Sequence, residues 1–196
     1  MIETIEQFDR DLFLLLNSPH SDFMDSVMWY VSTTWLWIPI YVVMLLFAFK
    51  HGQIKYALTI FGGVLLCVLL ADLISVHLFK NVFLRYRPSH NLEIIDLVKT
   101  VSKPNGQVYL GGKYGFVSSH AANIGAITTF ILLSFRNLSS KWYLLLFWAA
   151  LVMYSRIYLG VHYPGDIIGG AMLGFIIGWV VYKISAKLNL QNHVNH

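Results

Sequence analysis

The chain of 196 residues is short of charge and nearly without cysteine. Only 12% of its residues are Asp, Glu, Lys or Arg, against roughly 25% in an ordinary soluble domain. So few charges cannot cover a water-exposed surface, while 57% of the residues are hydrophobic. An ordinary soluble domain is thereby excluded, and residence in lipid is the simplest explanation. Cys67 is the single cysteine, so neither a disulfide framework nor a cysteine metal centre is available within the chain. Cys67 itself reads as a small buried hydrophobe. The N-terminus lacks a signal peptide's basic start, opening on Met1-Ile2-Glu3-Thr4-Ile5-Glu6, and the apolar stretch from Leu12 to Leu16 is too short for its core. Insertion is expected to rely on internal apolar segments. The net charge of +4 is dispersed between these segments instead of clustered, so no nucleic-acid partner is expected.

What the chain has in quantity is apolar sequence in runs. A helix needs about 20 residues to cross the hydrocarbon core. Five spans are expected: from about Met28 or Thr33 to Phe49, from about Ile54 to Phe79, from Ser119 to Phe135, from Trp142 to Tyr154, and from Ile167 to Tyr182. The fourth is short unless Ser155 and Arg156 continue its last turn. Lys50 and Lys55, Arg136 and Lys141, and Lys183 and Lys187 lie in three segments free of Asp and Glu, which the positive-inside rule assigns to the cytoplasm. The N-terminal segment then lies outside. It is acidic, with Glu3, Glu6, Asp9, Asp11, Asp22 and Asp25 against Arg10 alone. Ile5 to Leu16 reads as an interfacial amphipathic helix stopped by Asn17-Ser18-Pro19. Pro88, Pro104, Asn105-Gly106 and Gly111-Gly112 make residues 81–114 an outer loop with short helices at most. The expected architecture is all-α: one domain over residues 1–196, a bundle of about five spans, and an N-terminal interfacial segment over 1–25. Gly169-Gly170, Gly174 and Gly178 form a small-residue face for close helix packing.

With this topology, three polar clusters distant in sequence reach one membrane face: Lys80 to Pro88, Tyr114 to His120, and Ser155-Arg156 followed by His162 and Asp166. Lys80, Arg87 and Arg156 are permanent cations, two of them with guanidinium forks that match phosphate oxygens. Ser118 and Ser119 stand at a helix start, where free backbone N–H groups favour an anion. One imidazole of His120 and His162 can attack phosphorus while the other protonates the leaving oxygen. Asp166 follows His162 by four residues and can accept a hydrogen bond from its second ring nitrogen.

The spacing Lys80-x6-Arg87-Pro88, then Ser118-Ser119-His120, then Ser155-Arg156-x5-His162-x3-Asp166 resembles the type 2 phosphatidic acid phosphatase (PAP2) superfamily. That group also contains bacterial acid phosphatases and vanadium haloperoxidases. The three motifs occur in family order over residues 80–166. The resemblance implies a PAP2/haloperoxidase-like helical core and a reaction without metal or cofactor. It implies His162 as nucleophile, Asp166 as its orienting partner, and His120 as the acid that later activates water. Lys80, Arg87, Ser118, Ser119 and Arg156 are then the phosphoryl ligands. Val117 and Ser119 stand where the family usually has Pro and Gly.

The expected function is hydrolysis of a lipid phosphomonoester or diphosphate at the outer surface of a bacterial inner membrane, with the N-terminus out and the C-terminus in. Undecaprenyl diphosphate is placed slightly ahead of a lipid A phosphate, with phosphatidylglycerol phosphate and phosphatidic acid as further candidates. A lipid phosphotransferase would use the same residues. The expected partners are the substrate lipid and the bilayer, with no obligatory protein partner. Outside the motif positions, Arg85 is a candidate contact to a headgroup or second phosphate. Asp72, inside an apolar span, calls for a partner such as a basic site residue or His77. His77 itself reads as a structural hydrogen-bonding residue.

Overall fold

A computed structural model describes residues 2–194, so residues 1, 195 and 196 of the expected domain lie outside the described residues. The helical expectation holds: among the described residues there is no strand, only the isolated bridges Tyr86–Tyr114 and Ser102–Val108. The helices are α1 (Ile2–Asn17), α2 (Asp22–Ser32), α3 (Ile38–Ile74), α4 (Asn81–Phe83), α5 (Ser119–Phe135), α6 (Leu144–Tyr158) and α7 (Pro164–Val194).

Local chemistry sets the boundaries. Ser21 caps α2 by accepting a hydrogen bond from the Met24 N–H at 3.3 Å, and Asp22 and Asp25 stand in its first turn, where a helix dipole favours negative charge. Thr33 leaves helical space (φ −85, ψ 121), and a 3₁₀ turn over Thr34–Trp37 leads into α3. Of the two expected starts of the first span, the later one, about Thr33, holds: the apolar stretch begins at Thr34, and Met28 belongs to α2. The indole of Trp37 secures the bend by donating to the Val31 carbonyl at 3.1 Å. The fourth apolar segment does run on through Ser155 and Arg156, ending at Tyr158.

Helix α3 is broken in the middle. Gly52 (φ −149, ψ 21) and Gln53 (φ 56, ψ −161) leave helical conformation, and the two halves fold back on each other. Thr34 and Met44 line the same apolar groove of about 580 Å³ as Ile60, Val68 and His77. In an unbroken helix Thr34 and His77 would stand about 60 Å apart at 1.5 Å per residue. The stretches Thr34–Phe83 and Pro164–Leu188 are long and apolar enough to cross a membrane, and Ser119–Phe135 is a shorter apolar helix.

The central packing joins α5 to α7. A Cβ on Gly170, Gly174 or Gly178 would run into the carbonyl of Ser118, Ala122 or Ala126 respectively. The small-residue face is thus consumed in a backbone-to-backbone approach within the chain, and it sets the spacing of the two helices that open on the second and third motifs. Residues on both halves of α3 complete this core, among them Met44, Ile60 and Cys67, the last with no exposed area. At one end of the bundle the rings of Phe47, Phe135 and Trp142 pack tilted or edge-on against one another, and the Tyr56 hydroxyl donates to the Ser134 carbonyl at 2.9 Å. The opposite end holds the polar clusters.

Candidate active site

Backbone hydrogen bonds pin the three motifs together. A left-handed Leu84 (φ 50) ends α4, and the chain then runs extended beside residues 113–115. The Arg87 N–H donates to the Lys113 carbonyl at 3.1 Å and the Gly115 N–H to the Arg85 carbonyl at 2.9 Å. The Ser118 N–H donates to the Asp166 carbonyl at 3.0 Å, and the Ser89 N–H to the Gly160 carbonyl at 3.1 Å. Gly160 ends α6 with φ +74, and a Cβ there would lie 2.7 Å from the Lys99 carbonyl oxygen. Only glycine meets both demands at that turn.

These contacts gather every sequence-predicted site residue at one end of the bundle. His162 and Asp166 are buried, at 1% and 0% exposure. The Arg87 Nη1 lies 3.1 Å from His162 Nε2, and His162 Nδ1 lies 3.3 Å from Asp166 Oδ2. A guanidinium N–H can only donate, so Nε2 carries the lone pair and Nδ1 the proton that faces the carboxylate. The Gly115 carbonyl is a further hydrogen-bond partner of the ring. Burial first, then the charges of Arg87, Arg156 and Lys80, hold the imidazole well below its ordinary value of 6.5. It is therefore neutral, with its lone pair on the nitrogen that faces the cations. Gly115 leaves the room this requires: a Cβ would sit 2.9 Å from Asp166 Oδ2 and 3.5 Å from His162 Nδ1.

Around the ring stand the cations. Arg87 also donates from Nε to the Tyr114 carbonyl at 3.1 Å and from Nη1 to the Val161 carbonyl at 3.3 Å. Burial and the neighbouring Arg156 pull its pKa down to about 10. Arg156, 2% exposed, donates to the Ser32 hydroxyl and, at 2.8 Å, to the Tyr109 hydroxyl. Its buried Nε has no acceptor among the described residues. The Lys80 Nζ donates to the Ser119 hydroxyl at 2.5 Å, and Ser119 also bonds Ser75 at 2.7 Å. Ser118 caps α5, accepting from the Ala121 N–H at 3.4 Å. Half-buried His120, on the first turn of α5, lies in the field of Arg156, His162, Arg87 and Lys80. Three basic side chains, Lys80, Arg87 and Arg156, act electrostatically on both imidazoles, a cluster whose mutual repulsion an anion would relieve.

Several contacts were not legible beforehand. Arg85 is not free for a headgroup, because its two Nη atoms are held by Asp9 and Asp166 at 2.7 and 2.8 Å. Asp72 finds Asn123 of α5, which donates to it at 3.0 Å; its charge also reaches Lys80. Tyr109, from the long loop between α4 and α5, accepts a hydrogen bond from Arg156. Burial pushes this phenol up, but Arg156, through its charge and its hydrogen bond, and Arg87 together bring it below its ordinary value. Helix α1 is anchored, too. The Asn17 amide donates to the carbonyls of Tyr158 at 2.8 Å, Lys99 at 3.0 Å and Ile157 at 3.2 Å, and Phe13 packs edge-on against Tyr163. The i, i+4, i+8 spacing of Asp9, Phe13 and Asn17 was the available signal for this buried stripe. Among the described residues no three His, Cys, Asp or Glu side chains group as metal ligands.

Comparisons with known proteins show the family and the fold. The sequence profile of the PAP2 superfamily matches residues 61–190. The chain is 43% identical over 185 residues to a lipid A 4'-phosphatase of Porphyromonas gingivalis, covering 93% of this chain and 75% of that one. It is 30% identical over 184 residues to an undecaprenyl-diphosphatase of Sulfolobus acidocaldarius, covering 91% and 79%. Its fold is shared with the crystal structure of a transmembrane PAP2-type phosphatidylglycerolphosphate phosphatase from Bacillus subtilis. That match has a TM-score of 0.68 at 20% identity, over 94% of this chain and 87% of the other.

Proposed function

The chain belongs to the PAP2 superfamily and is a phosphatase of lipid phosphates, and on that premise we propose that it removes a phosphate monoester from a lipid A-type glycolipid through a phosphohistidine on His162. The observation that carries the mechanism is the setting of His162. The ring is buried and neutral, with Nδ1 facing Asp166 and Nε2 facing Arg87. In this reading the phosphoryl oxygens take over the N–H groups of Arg87 and Arg156 and the ammonium of Lys80, and the unpaired Arg156 Nε gains an acceptor. The His162 Nε2 lone pair attacks phosphorus, and the bond to the leaving oxygen breaks as His120 gives that oxygen a proton. Asp166 stabilises the charge that develops on the ring. His120 then takes a proton from water, whose oxygen attacks phosphorus and breaks the P–N bond, releasing inorganic phosphate. The Ser118 cap and the start of α5 add donors to the phosphoryl group.

For the substrate, the order expected from the sequence is reversed. The greater identity to a lipid A 4'-phosphatase supports a lipid A phosphate ahead of undecaprenyl diphosphate. The proposed setting is a bacterial inner membrane crossed five times, with α3 contributing two spans on either side of its break at 52–53. Exposed Lys50, Lys55, Arg136, Lys141, Lys183 and Lys187 support cytoplasmic turns, and with them the reading in which the site and the N-terminus face outward.

Phosphate release by the purified protein in detergent tests the reading, with lipid A, undecaprenyl diphosphate, phosphatidylglycerol phosphate and phosphatidic acid as substrates. Lipid A is expected to give the highest kcat/KM, with full activity after EDTA. A higher value for undecaprenyl diphosphate would overturn the substrate. A phosphorylated acceptor in place of free phosphate would make the protein a transferase. Loss of activity in EDTA, restored by a metal, would replace the mechanism.

A further inference from the structure

The first motif segment carries a guanidinium that does not join the phosphate cluster. Arg85 and Arg87 stand two residues apart on extended chain, so both point to the same side. Arg87 takes the ring of His162 and Arg85 takes the carboxylate of Asp166. Arg85 Nη1 donates to Asp166 Oδ1 at 2.8 Å and Nη2 to Asp9 Oδ2 at 2.7 Å, with the guanidinium 4.2 Å from the centre of the Tyr163 ring. The second oxygen of Asp9 accepts from the Gly165 N–H at 2.7 Å, in the first turn of α7. Asp166 has no exposed area. Its Oδ2 is taken by His162 and by the Tyr163 N–H at 3.0 Å, leaving Oδ1 to Arg85.

We propose that Asp9 and Arg85 form a positioning clamp for Asp166, in which Arg85 fixes the carboxylate that orients the nucleophile and Asp9 fixes Arg85. The clamp rests on the orienting role of Asp166 described above. A buried carboxylate without a compensating partner is costly, and a guanidinium is the side chain that can present two N–H groups in one plane to two carboxylates. A lysine keeps the charge but cannot reproduce the fork. Stacking on Tyr163 holds the plane of the fork, and Asp9 closes its far side while also capping α7. Because Asp9 comes from α1, the helix with the amphipathic pattern of a membrane-surface element supplies part of the catalytic geometry. Arg85 and Asp9 are positioning residues, since neither faces the phosphate cluster.

The test is steady-state kinetics of the full-length protein in detergent, comparing Arg85→Gln, Arg85→Lys, Asp9→Asn and the Asp9→Asn/Arg85→Gln double variant, with Asp166→Asn as reference. Arg85→Gln is expected to lower kcat about 10- to 100-fold, the scale of losing a residue that orients a catalytic histidine from behind, with KM within about twofold. Arg85→Lys recovers only part of that loss. Asp9→Asn costs less, and the double variant no more than Arg85→Gln alone, because both act through one carboxylate. If Arg85→Gln does not fold, the Arg85→Lys and Asp9→Asn pair carries the same non-additivity test. A wild-type kcat for Arg85→Gln beside an inactive Asp166→Asn would overturn the clamp, as would losses that multiply in the double variant. Full activity of Asp166→Asn would overturn the orienting role itself, and the clamp with it.

Discussion

The two ends of the helical bundle carry the same kind of charge in opposite states. At one end Lys50, Lys55, Arg136 and Lys141 are exposed, and their segments contain no carboxylate. At the other end Arg87 and Arg156 are 7% and 2% exposed, and they are held by carbonyls, hydroxyls and an imidazole. Exposed cations at a membrane surface serve as orientation signals and interact with water and headgroups at small energetic cost. Buried cations need a reason, because several like charges in one pocket repel each other and lose hydration. The difference teaches where the chemistry is. Two buried guanidiniums, Arg87 and Arg156, that carbonyls and hydroxyls hydrogen-bond but with which no carboxylate among the described residues forms a direct ion pair are shaped for an incoming anion.

Substitutions should separate the two ends sharply. Arg156→Ala or Lys80→Ala is expected to lower kcat/KM for lipid phosphate by about 10²- to 10³-fold, the scale of losing one preorganised donor to a developing charge. Phosphate-release kinetics checks this, and a loss below about fivefold would place that cation outside the site. Gly115→Ala pushes a methyl against Asp166 and Arg87, the two side chains that hold His162. It should cost about 10- to 100-fold in kcat, since a displacement near 1 Å of a reacting group has effects of that order. Smallest is the other end: Lys50→Gln, Lys55→Gln or Arg136→Gln should each leave kcat/KM within about twofold, as solvent-exposed charges do. A large loss there would break the comparison.

Much of both ends could be read from the chain beforehand, and the limits have physical causes. The three motifs were legible because phosphate chemistry demands particular side chains at particular spacings, and Lys80, Arg87, Ser118, Ser119, His120, Arg156, His162 and Asp166 do converge. The helices were legible from their apolar runs; of the two starts those runs allowed for the first, Thr33 and its 3₁₀ turn select the later one, because α2 ends at Ser32. The role of Arg85 is not legible in the chain because its partner Asp9 lies 76 residues away on a helix whose pattern is that of an interfacial element. Tyr109 was missed because its loop, between Gly106 and Gly111, has no periodicity to show which way a side chain faces. The lipid preference was hardest to read, since the residues that hold a phosphoryl group say nothing of the group attached to it.

In the proposed reaction phosphorus passes through His162. The direct measurement is acid-free rapid quench of the protein mixed with lipid A carrying ³²P in its phosphate, followed by peptide mapping of the labelled chain. The expected label survives alkali, is lost in acid, maps to the peptide containing His162 and is absent from His162→Ala. Turnover at the wild-type rate by His162→Ala, or label recovered on another residue, would contradict it.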